Sequence, residues 1–278
     1  MTRDIDDETF AREIGRGGAA RLVPAALLLA REIAYPELQP SRYLERLAGW
    51  SEAAGSRAAR AGGPVEAAKA VAEFMFADMG LGGNRQAYDD PRNSFLNDVM
   101  DRRLGLPIAL SALYLEVAGA IGLPVEGIAL PGHFIVAVRH AGEQHFMDPF
   151  SGGRLISRDQ LPALVYETSG SSLPLAAAWL EPASPRAILA RMLFNLRNSF
   201  ARREAWNSLL LVVERLRELQ PDAPEHIRDE GAICMRAGLL RRAEERLSLY
   251  LRLAPATPDR MQVAQTVDSM TRRLLTLN

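Results

Sequence analysis

Two segments indicate the fold of the central part of the chain: Pro131-Gly132-His133-Phe134 and Phe146-Met147-Asp148-Pro149-Phe150. His133 and Asp148 are fifteen residues apart and fall on two predicted consecutive strands. An apolar helix is predicted just before them, from Pro107 to Ile121. A helix followed by a strand-borne histidine and a strand-borne acid is the layout of a thiol-enzyme site, in which the helix supplies a cysteine.

The cysteine that such a site requires is absent. In a thiol enzyme it stands at the helix N-terminus, where the helix dipole and a neighbouring imidazole lower the pKa of the thiol. Here the helix begins with Pro107 and Ile108, and neither is a nucleophile. The one cysteine of the chain, Cys234, lies far downstream at an apolar repeat position, where we expect a buried packing thiol. The sequence thus contains the frame of an enzyme without its nucleophile.

Composition limits the class of partner. The 278 residues carry a formal net charge of −1, so no global field attracts nucleic acid or an anionic membrane surface. The sequence has no apolar run of the roughly 18 residues that a membrane span needs, and its polar start is unlike a signal peptide. A single cysteine excludes an internal disulfide framework and fits a reducing compartment. We therefore expect a cytoplasmic protein with neither nucleic-acid nor membrane partners.

The sequence pattern divides the chain into three parts: residues 1–85, 86–184 and 185–278. The first part is rich in Ala, Leu, Glu and Arg, and glycine- and proline-containing breaks separate segments with apolar residues at three-to-four spacing. This pattern predicts a helical subdomain that packs on the core. Its helices are expected at Glu8–Ile14, Arg21–Ala34, Ser41–Ala54 and Val65–Met79.

The second part is predicted to form the core. The turn Asp90–Asn93 can cap a helix from Ser94 to Arg103, and Gly105-Leu106-Pro107 opens the apolar helix. Both alternating sets of side chains in the middle strand are apolar, so we expect that strand to be covered on both faces. The three predicted strands are Val125–Leu130, Phe134–Arg139 and Gln144–Asp148.

The third part is helical and repeats with a period of 34 residues. The residues that recur are Val213, Leu219, Pro221 and Pro224, which return as Leu247, Leu253, Pro255 and Pro258. A 34-residue period with proline closing each helix pair is the tetratricopeptide spacing. The repeats are expected at Ala190–Ala223 and Pro224–Thr257, with a capping helix at Met261–Leu277.

Several blocks of the central part resemble the SirB-type transglutaminase-like family of bacteria. The blocks are Tyr88–Leu96 (YDDPRNSFL), Arg102–Ile108 (RRLGLPI), Pro131–Phe134 (PGHF), Asp148–Phe150 (DPF) and Gly152-Gly153. The similarity covers residues 85–160 closely, and C-terminal repeats are also a feature of that family. Together the blocks are specific, although each one alone would be weak.

The resemblance implies an α+β fold that is mainly helical. It implies a transglutaminase-like (papain-like) core with a small antiparallel sheet, followed by an α-helical tetratricopeptide-repeat region. It also implies that His133 and Asp148 occupy the superfamily's histidine and acid positions and that the catalytic cysteine is missing. Members of the family are labelled invasion regulators or transglutaminase-like proteins, so the resemblance predicts a fold and no firm biochemical activity.

His133 and Asp148 are the candidate catalytic residues. They form either a residual acid–base or binding pair, or a structural hydrogen bond inherited from an enzyme ancestor. Without a nucleophile, the sequence favours the inherited bond or ligand binding over catalysis. Ser111, about one helical turn after Pro107, is an alternative nucleophile that would complete a Ser-His-Asp hydrolase. Serine in a helix, however, commonly bonds the carbonyl four residues back.

Asn93, Arg103 and Phe134 are the candidate binding residues. Asn93 is expected to cap the following helix or, alternatively, to line the pocket of His133. Arg103, like Arg102, suits a carboxylate ligand, although basic residues at the end of a helix also complement its dipole. Phe134 directly follows the histidine. No cofactor is expected, because the glycines around the site match no phosphate-binding loop.

A metal site is not expected either. His133, His140, His145 and Asp148 are close in sequence. The offset between His145 and Asp148 is odd, so on a regular strand their side chains point to opposite faces. No set with the ligand spacing of a metal site then remains.

Three functions are compatible with the sequence. The first is a non-catalytic interaction or regulatory protein that holds a protein or peptide partner through its repeats and a vestigial cleft. The second is a hydrolase or acyl transferase that uses His133 and Asp148 with Ser111 or water. The third is a sensor of a small ligand or a peptide end, with the repeats as its output. The missing cysteine and the repeats favour the first. The sequence leaves the partner and the oligomeric state open.

Overall fold

The computed structural model describes residues 5–15, 20–170, 172, 174–254 and 256–276. The chain divides into two compact units, Met1–Met192 and Leu193–Asn278. The described residues are mostly helical and include a small antiparallel sheet, which confirms the predicted α+β, mainly helical class. The boundaries expected after residues 85 and 184 stay predictions.

Eight helices begin in the described part of the first unit. They are α1 (Phe10–Ile14), α2 (Leu22–Ile33), α3 (Pro40–Ala58), α4 (Pro64–Ala72), α5 (Leu96–Arg102), α6 (Pro107–Ala120), α7 (Leu161–Ser169) and α8 (Pro185–Arg202). The six predicted ones lie within a few residues of their expected positions. One difference is that α4 ends early and continues as a π-helical turn, Glu73–Asp78, where a single helix is predicted. The helix α7 is not predicted, and it forms part of the site described below.

The sheet of the first unit is an antiparallel meander of four strands that lie side by side in chain order. The strands are β3 (Val125–Leu130), β4 (His133–His140), β5 (Glu143–Asp148) and β6 (Arg154–Ile156). The first three match the predicted strands, and β6 is new. A separate two-residue parallel pair joins β1 (Gly82–Gly83) to β2 (Leu104–Gly105). The antiparallel pairing of β4 with β5 brings the start of β4 and the end of β5 to the same end of the sheet.

The strand β4 is covered on both faces, as its double apolar pattern predicts. Ile135 and Ala137 belong to a buried cluster that includes Leu161 and Val165 of α7. On the opposite face, a Cβ at Gly127 of β3 would meet the Phe134 ring at 2.8 Å and the Leu115 side chain of α6 at 3.2 Å. The helix α6 is buried on every side over its first eight residues, so it forms the centre of this unit.

The second unit consists of helices in pairs. They are the end of α8, α9 (Trp206–Leu219), α10 (Glu225–Arg236), α11 (Leu240–Leu253) and α12 (Arg260–Thr276). Gly231 of α10 packs so closely on α11 that a Cβ there would lie 2.6 Å from the Leu247 side chain. Cys234 is fully buried, which confirms the predicted packing thiol. The helix α12 matches the predicted cap, whose last residue, Leu277, and the predicted repeat position Pro255 lie outside the described residues.

No helix within the described ranges is both long and apolar enough to span a membrane.

Candidate functional site

His133 and Asp148 are in direct contact. His133 is the first residue of β4 and Asp148 the last of β5, and Nε2 of the imidazole lies 3.0 Å from Oδ1 of the carboxylate. The side chains are only 5% and 1% exposed. The predicted pair therefore exists in the folded chain as a buried hydrogen bond, which the two strand ends position.

The surroundings of Asp148 lower the pKa of its carboxyl group. Burial alone would raise the pKa of Asp148, but hydrogen bonds from His133, Ser151 and the Phe150 amide, together with the histidine's charge, outweigh burial and hold that pKa below its usual range. Because the ionised carboxylate of Asp148 can only accept, the proton of this 3.0 Å hydrogen bond is assigned to Nε2 of His133, which donates it. In the neutral imidazole, Nδ1 is then a hydrogen-bond acceptor, and no described residue is bonded to it.

The pair lines a cavity of about 710 Å³ that lies entirely within the first unit. Two aromatic side chains, Tyr88 and Phe150, contribute to its wall, and so do Leu164, Glu167 and Thr168 of α7. A volume in this range is typical of ligand sites in proteins. The dyad formed by His133 and Asp148 therefore faces a space that can hold a ligand.

The aromatic wall is ordered around Phe150. Its ring centroid lies 5.9 Å from that of His133 and 6.0 Å from that of Tyr88, with an interplanar angle of 79° in both pairs. The Arg85 guanidinium carbon lies 4.8 Å from the centroid of the same ring, and Nη2 of Arg85 donates to Ser151 Oγ at 3.1 Å. These edge-on ring contacts and the cation–π contact stabilise a defined wall beside the imidazole.

The candidate nucleophile Ser111 lies in the buried first half of α6. Its side chain is fully buried, and its hydroxyl donates to the backbone carbonyl of Phe134 at 3.5 Å. Ser111 is not among the residues that line the described cavity. The hydroxyl is thus used to join α6 to β4, instead of bonding the carbonyl four residues back.

The candidate binding residues lie outside the lining of this cavity. Asn93 is fully buried, and its amide group donates to the carbonyls of Ala87 and Tyr88 at 2.7 and 3.2 Å. The helix-cap prediction for Asn93 is wrong, because Phe95 occupies the N-cap of α5 without a side-chain cap. Asn93 instead fixes the loop that carries Tyr88 into the cavity wall.

Arg103 and Phe134 have other packing partners. Arg103 ends α5 in the left-handed region with φ 63° and donates from Nη1 to the Met79 carbonyl at 3.0 Å. Its guanidinium carbon lies 5.5 Å from the ring centroid of Trp50. Phe134 is 1% exposed, and the Arg191 guanidinium lies 5.7 Å from its ring. Both residues support elements around the cavity, and their assignment to ligand binding stays a prediction.

The histidines and acids of the described residues form no group of three that is close enough to hold a metal ion. The His140 and His145 rings are 6.5 Å apart at the far end of β4 and β5. The His133 and Asp148 pair stands at the opposite end of the same strands.

Sequence reasoning missed most of the cavity lining. Arg85 and Arg154 carry charge into the cavity from the loop after β1 and from β6, and Glu167 does so from α7. One signal was available for Arg154. The turn Gly152-Gly153 reverses the chain after Asp148, so the next residue falls opposite that carboxylate, and Asp148 and Arg154 are indeed register partners. No local signal indicated α7.

Replacement of Asp148 by asparagine tests the ionic state of the pair. Because the folded-state pKa of Asp148 is lowered, its carboxylate contributes stability above pH ~4, and this contribution is lost as pH falls through the lowered value. We expect Asp148→Asn to be about 1–2 kcal/mol less stable than the wild type near pH 6. The difference should shrink at more acidic pH.

Urea unfolding between pH 3 and 7 measures this difference, with the exposed Asp159→Asn as a matched control. A difference that grows as the pH falls would show that the buried carboxyl is protonated in the folded chain.

Two family models match the chain. One describes the transglutaminase-like superfamily and matches residues 41–194, and the other describes the tetratricopeptide repeat and matches residues 196–268. The first covers the dyad, the cavity and α6. The second covers the helix pairs of the second unit, so it confirms the repeats that the 34-residue period predicts.

Similar proteins are found along most of the chain. A UPF0162 protein of Xylella fastidiosa is 35% identical over 257 residues, which are 91% of this chain and 87% of that protein. Protein SirB1 of Salmonella typhimurium is 24% identical over 209 residues, 74% of this chain and 76% of its own. F-box only protein 21 of Mus musculus is 33% identical over 81 residues, 29% of this chain and 13% of its own.

The two family matches correspond to the two compact units of the chain. The transglutaminase-like match contains the His133 and Asp148 pair, and the repeat match follows it directly. With relatives that extend over nine-tenths of its length, the chain belongs to the SirB-type family of transglutaminase-like proteins that carry tetratricopeptide repeats.

Proposed function

We propose that this protein is a non-catalytic regulatory module of the cytoplasm that binds a protein or peptide partner through its repeats and its transglutaminase-like cleft. The observation that supports this most is an intact His133 and Asp148 pair in an open cavity on a chain that lacks the nucleophile. Tetratricopeptide repeats generally provide binding surfaces for other proteins. The combination suits recognition better than covalent chemistry.

The two candidate nucleophiles singled out in the sequence, Cys234 and Ser111, are poorly placed for a covalent mechanism. Cys234 is fully buried in α10, and burial raises the pKa of its thiol, which disfavours the reactive thiolate. Ser111 is fully buried, and its hydroxyl is bonded to the Phe134 carbonyl. A covalent acyl intermediate requires an activated side chain beside the imidazole, and neither residue meets that requirement.

The helix α10 offers an exposed face for a partner. Ala232 and Arg236, which are both exposed, are four residues apart and so share one face of the helix. Ala232 is exposed, and its small side chain leaves that face accessible. We therefore place the repeat half of the binding function on this face.

Affinity capture from the native host tests the proposal. Full-length protein should retain a specific partner that Ala232→Glu loses, because a carboxylate on the docking face adds both bulk and an unpaired charge to the interface. The matched control is Glu245→Arg on α11, which is exposed and changes charge away from that face. A partner set unaffected by Ala232→Glu would contradict a docking role for this face.

Hydrolysis by a general base remains the second candidate function. The geometry of the dyad and its place on the cavity wall would allow His133 to activate a water molecule, with Asp148 orienting the imidazole. This function predicts turnover that disappears in both His133→Ala and Asp148→Asn.

A further inference from the structure

Two arginines of the cavity lack a carboxylate partner among the described residues. Arg85 bonds only neutral groups, the Ser151 hydroxyl and the Phe150 ring, and no side-chain hydrogen bond or ion pair is found for Arg154 within the described ranges. Elsewhere in the chain arginines meet acids, as Arg139 meets Glu126 at 2.8 Å. The cavity lining holds two guanidinium groups and two carboxylates, Asp148 and Glu167, but neither guanidinium group is neutralised by direct contact with an acid of the described chain.

Both arginines are tied to the His133 and Asp148 pair. Arg154 is the register partner of Asp148 across β5 and β6. Arg85 bonds Ser151, and the Ser151 hydroxyl in turn bonds the Asp148 carboxylate. Both arginines therefore lie on segments that contact Asp148, Arg154 directly and Arg85 through Ser151.

The remaining groups of the cavity favour a ligand that has other features besides a negative charge. With Nε2 of His133 committed to Asp148, its Nδ1 can accept a hydrogen bond from an N–H donor. The Phe150 ring and the Leu164 side chain provide apolar surface beside these polar groups. Glu167, the other carboxylate of the lining besides Asp148, disfavours a ligand that carries several negative charges.

The C-terminal residue of a peptide combines the features that these groups match. It carries one carboxylate, which guanidinium groups bind with paired hydrogen bonds. Its backbone N–H is a donor two bonds from the carboxylate carbon, and its side chain can pack on an apolar wall. Free inorganic phosphate has neither the N–H nor the side chain.

We infer that this cavity binds the C-terminal carboxylate of a peptide, with Arg85 and Arg154 holding the carboxylate and Nδ1 of His133 accepting the last backbone N–H. The inference deepens the cleft half of the proposed function and rests on it. The partner is thus a protein whose free C-terminus enters the transglutaminase-like domain.

Fluorescence anisotropy on the full-length protein tests the inference. The probes are fluorescein-labelled Gly-Gly-Ala-Xaa peptides with each common amino acid at Xaa, each made as the free acid and as the C-terminal amide. We expect binding of a subset of the free acids, with affinity at least tenfold lower for their amides. Arg85→Gln and Arg154→Gln should each weaken the free acids at least tenfold. Arg158→Gln, a nearby exposed arginine outside the cavity lining, should leave affinity unchanged.

Three results would overturn the inference: equal affinity for acids and amides, full affinity in both arginine variants, or no binding by any peptide. Displacement of bound peptide by inorganic phosphate as effectively as by the unlabelled peptide would reassign the cavity to a simple anion site. This failure is distinguishable from failure of the proposed function, in which the captured partner set would be unaffected by Ala232→Glu. A host partner that is captured through α10 while no free acid binds would leave the repeat function intact and remove only the C-terminal ligand.

Discussion

Replacement of Glu230 by alanine is expected to destabilise the repeat unit strongly. Glu230 is fully buried in α10, and its carboxylate is paired with Arg217 of α9 and with Arg242 and Arg246 of α11, the latter two at 2.8 and 2.9 Å. Removal of the single acid leaves three arginines without their common partner. Breaking a buried pair in this way costs about 3–5 kcal/mol, but these arginines are about a third exposed and regain water, so we expect about 2–4 kcal/mol.

Hydrogen–deuterium exchange read by mass spectrometry localises this effect to the unit concerned. A loss of about 2–4 kcal/mol corresponds to exchange that is roughly thirty-fold to several hundred-fold faster in the most protected amides of α9 to α11. Amides of β4 in the first unit should keep their protection. Glu245→Gln, an exposed acid of α11, is the matched control and should change stability by less than about 0.5 kcal/mol. Unchanged protection in Glu230→Ala would show that the buried carboxylate does not stabilise the packing of α9 to α11.

Replacement of Gly132 by alanine is expected to have the largest effect on the first unit. Gly132 has φ +71°, and a Cβ there would lie 2.6 Å from the Thr168 carbonyl carbon at the end of α7. An L-residue in this conformation costs about 1–2 kcal/mol. The clash is with backbone, so α7 must also move away from the β3–β4 turn, and we expect a total loss of about 3 kcal/mol.

A second glycine separates the two contributions. Gly142 in the β4–β5 turn has φ +83° and nothing within 4 Å of its Cβ position, so Gly142→Ala carries the conformational strain without the clash. Thermal unfolding should show a drop in Tm of roughly 6–12 °C for Gly132→Ala and about one third to two thirds of that for Gly142→Ala. Gly132→Ala should also weaken any cavity ligand, since Gly132 and Thr168 both line the cavity. Equal Tm values for the two variants would show that α7 is not held against the turn.

Much of the fold could be predicted from the sequence because its strongest signals are periodic. The apolar run of α6 and the doubly apolar strand β4 are buried as expected, and the 34-residue period corresponds to real helix pairs. The His133 and Asp148 contact could be predicted because two antiparallel strands that are adjacent in sequence bring the start of the first close to the end of the second.

The rest of the site depends on long-range packing that leaves no local signal. The helix α7 has a weak apolar pattern, and the β3–β4 turn and the sheet hold it in place. Arg85 reaches the cavity from a loop, and Ser151 and the Phe150 ring orient it. Asn93 shows the limit of local rules, since its amide serves two carbonyls of the preceding loop instead of the following helix.

In the proposed function, the protein binds its partner without changing it chemically. Intact-mass spectrometry of the captured partner, incubated with an equal amount of full-length protein or of Asp148→Asn, tests this most directly. We expect a stoichiometric complex and a partner of unchanged mass in both samples. A partner that is cleaved or acylated by the wild type and left intact by Asp148→Asn would contradict the account and establish a reaction at the dyad.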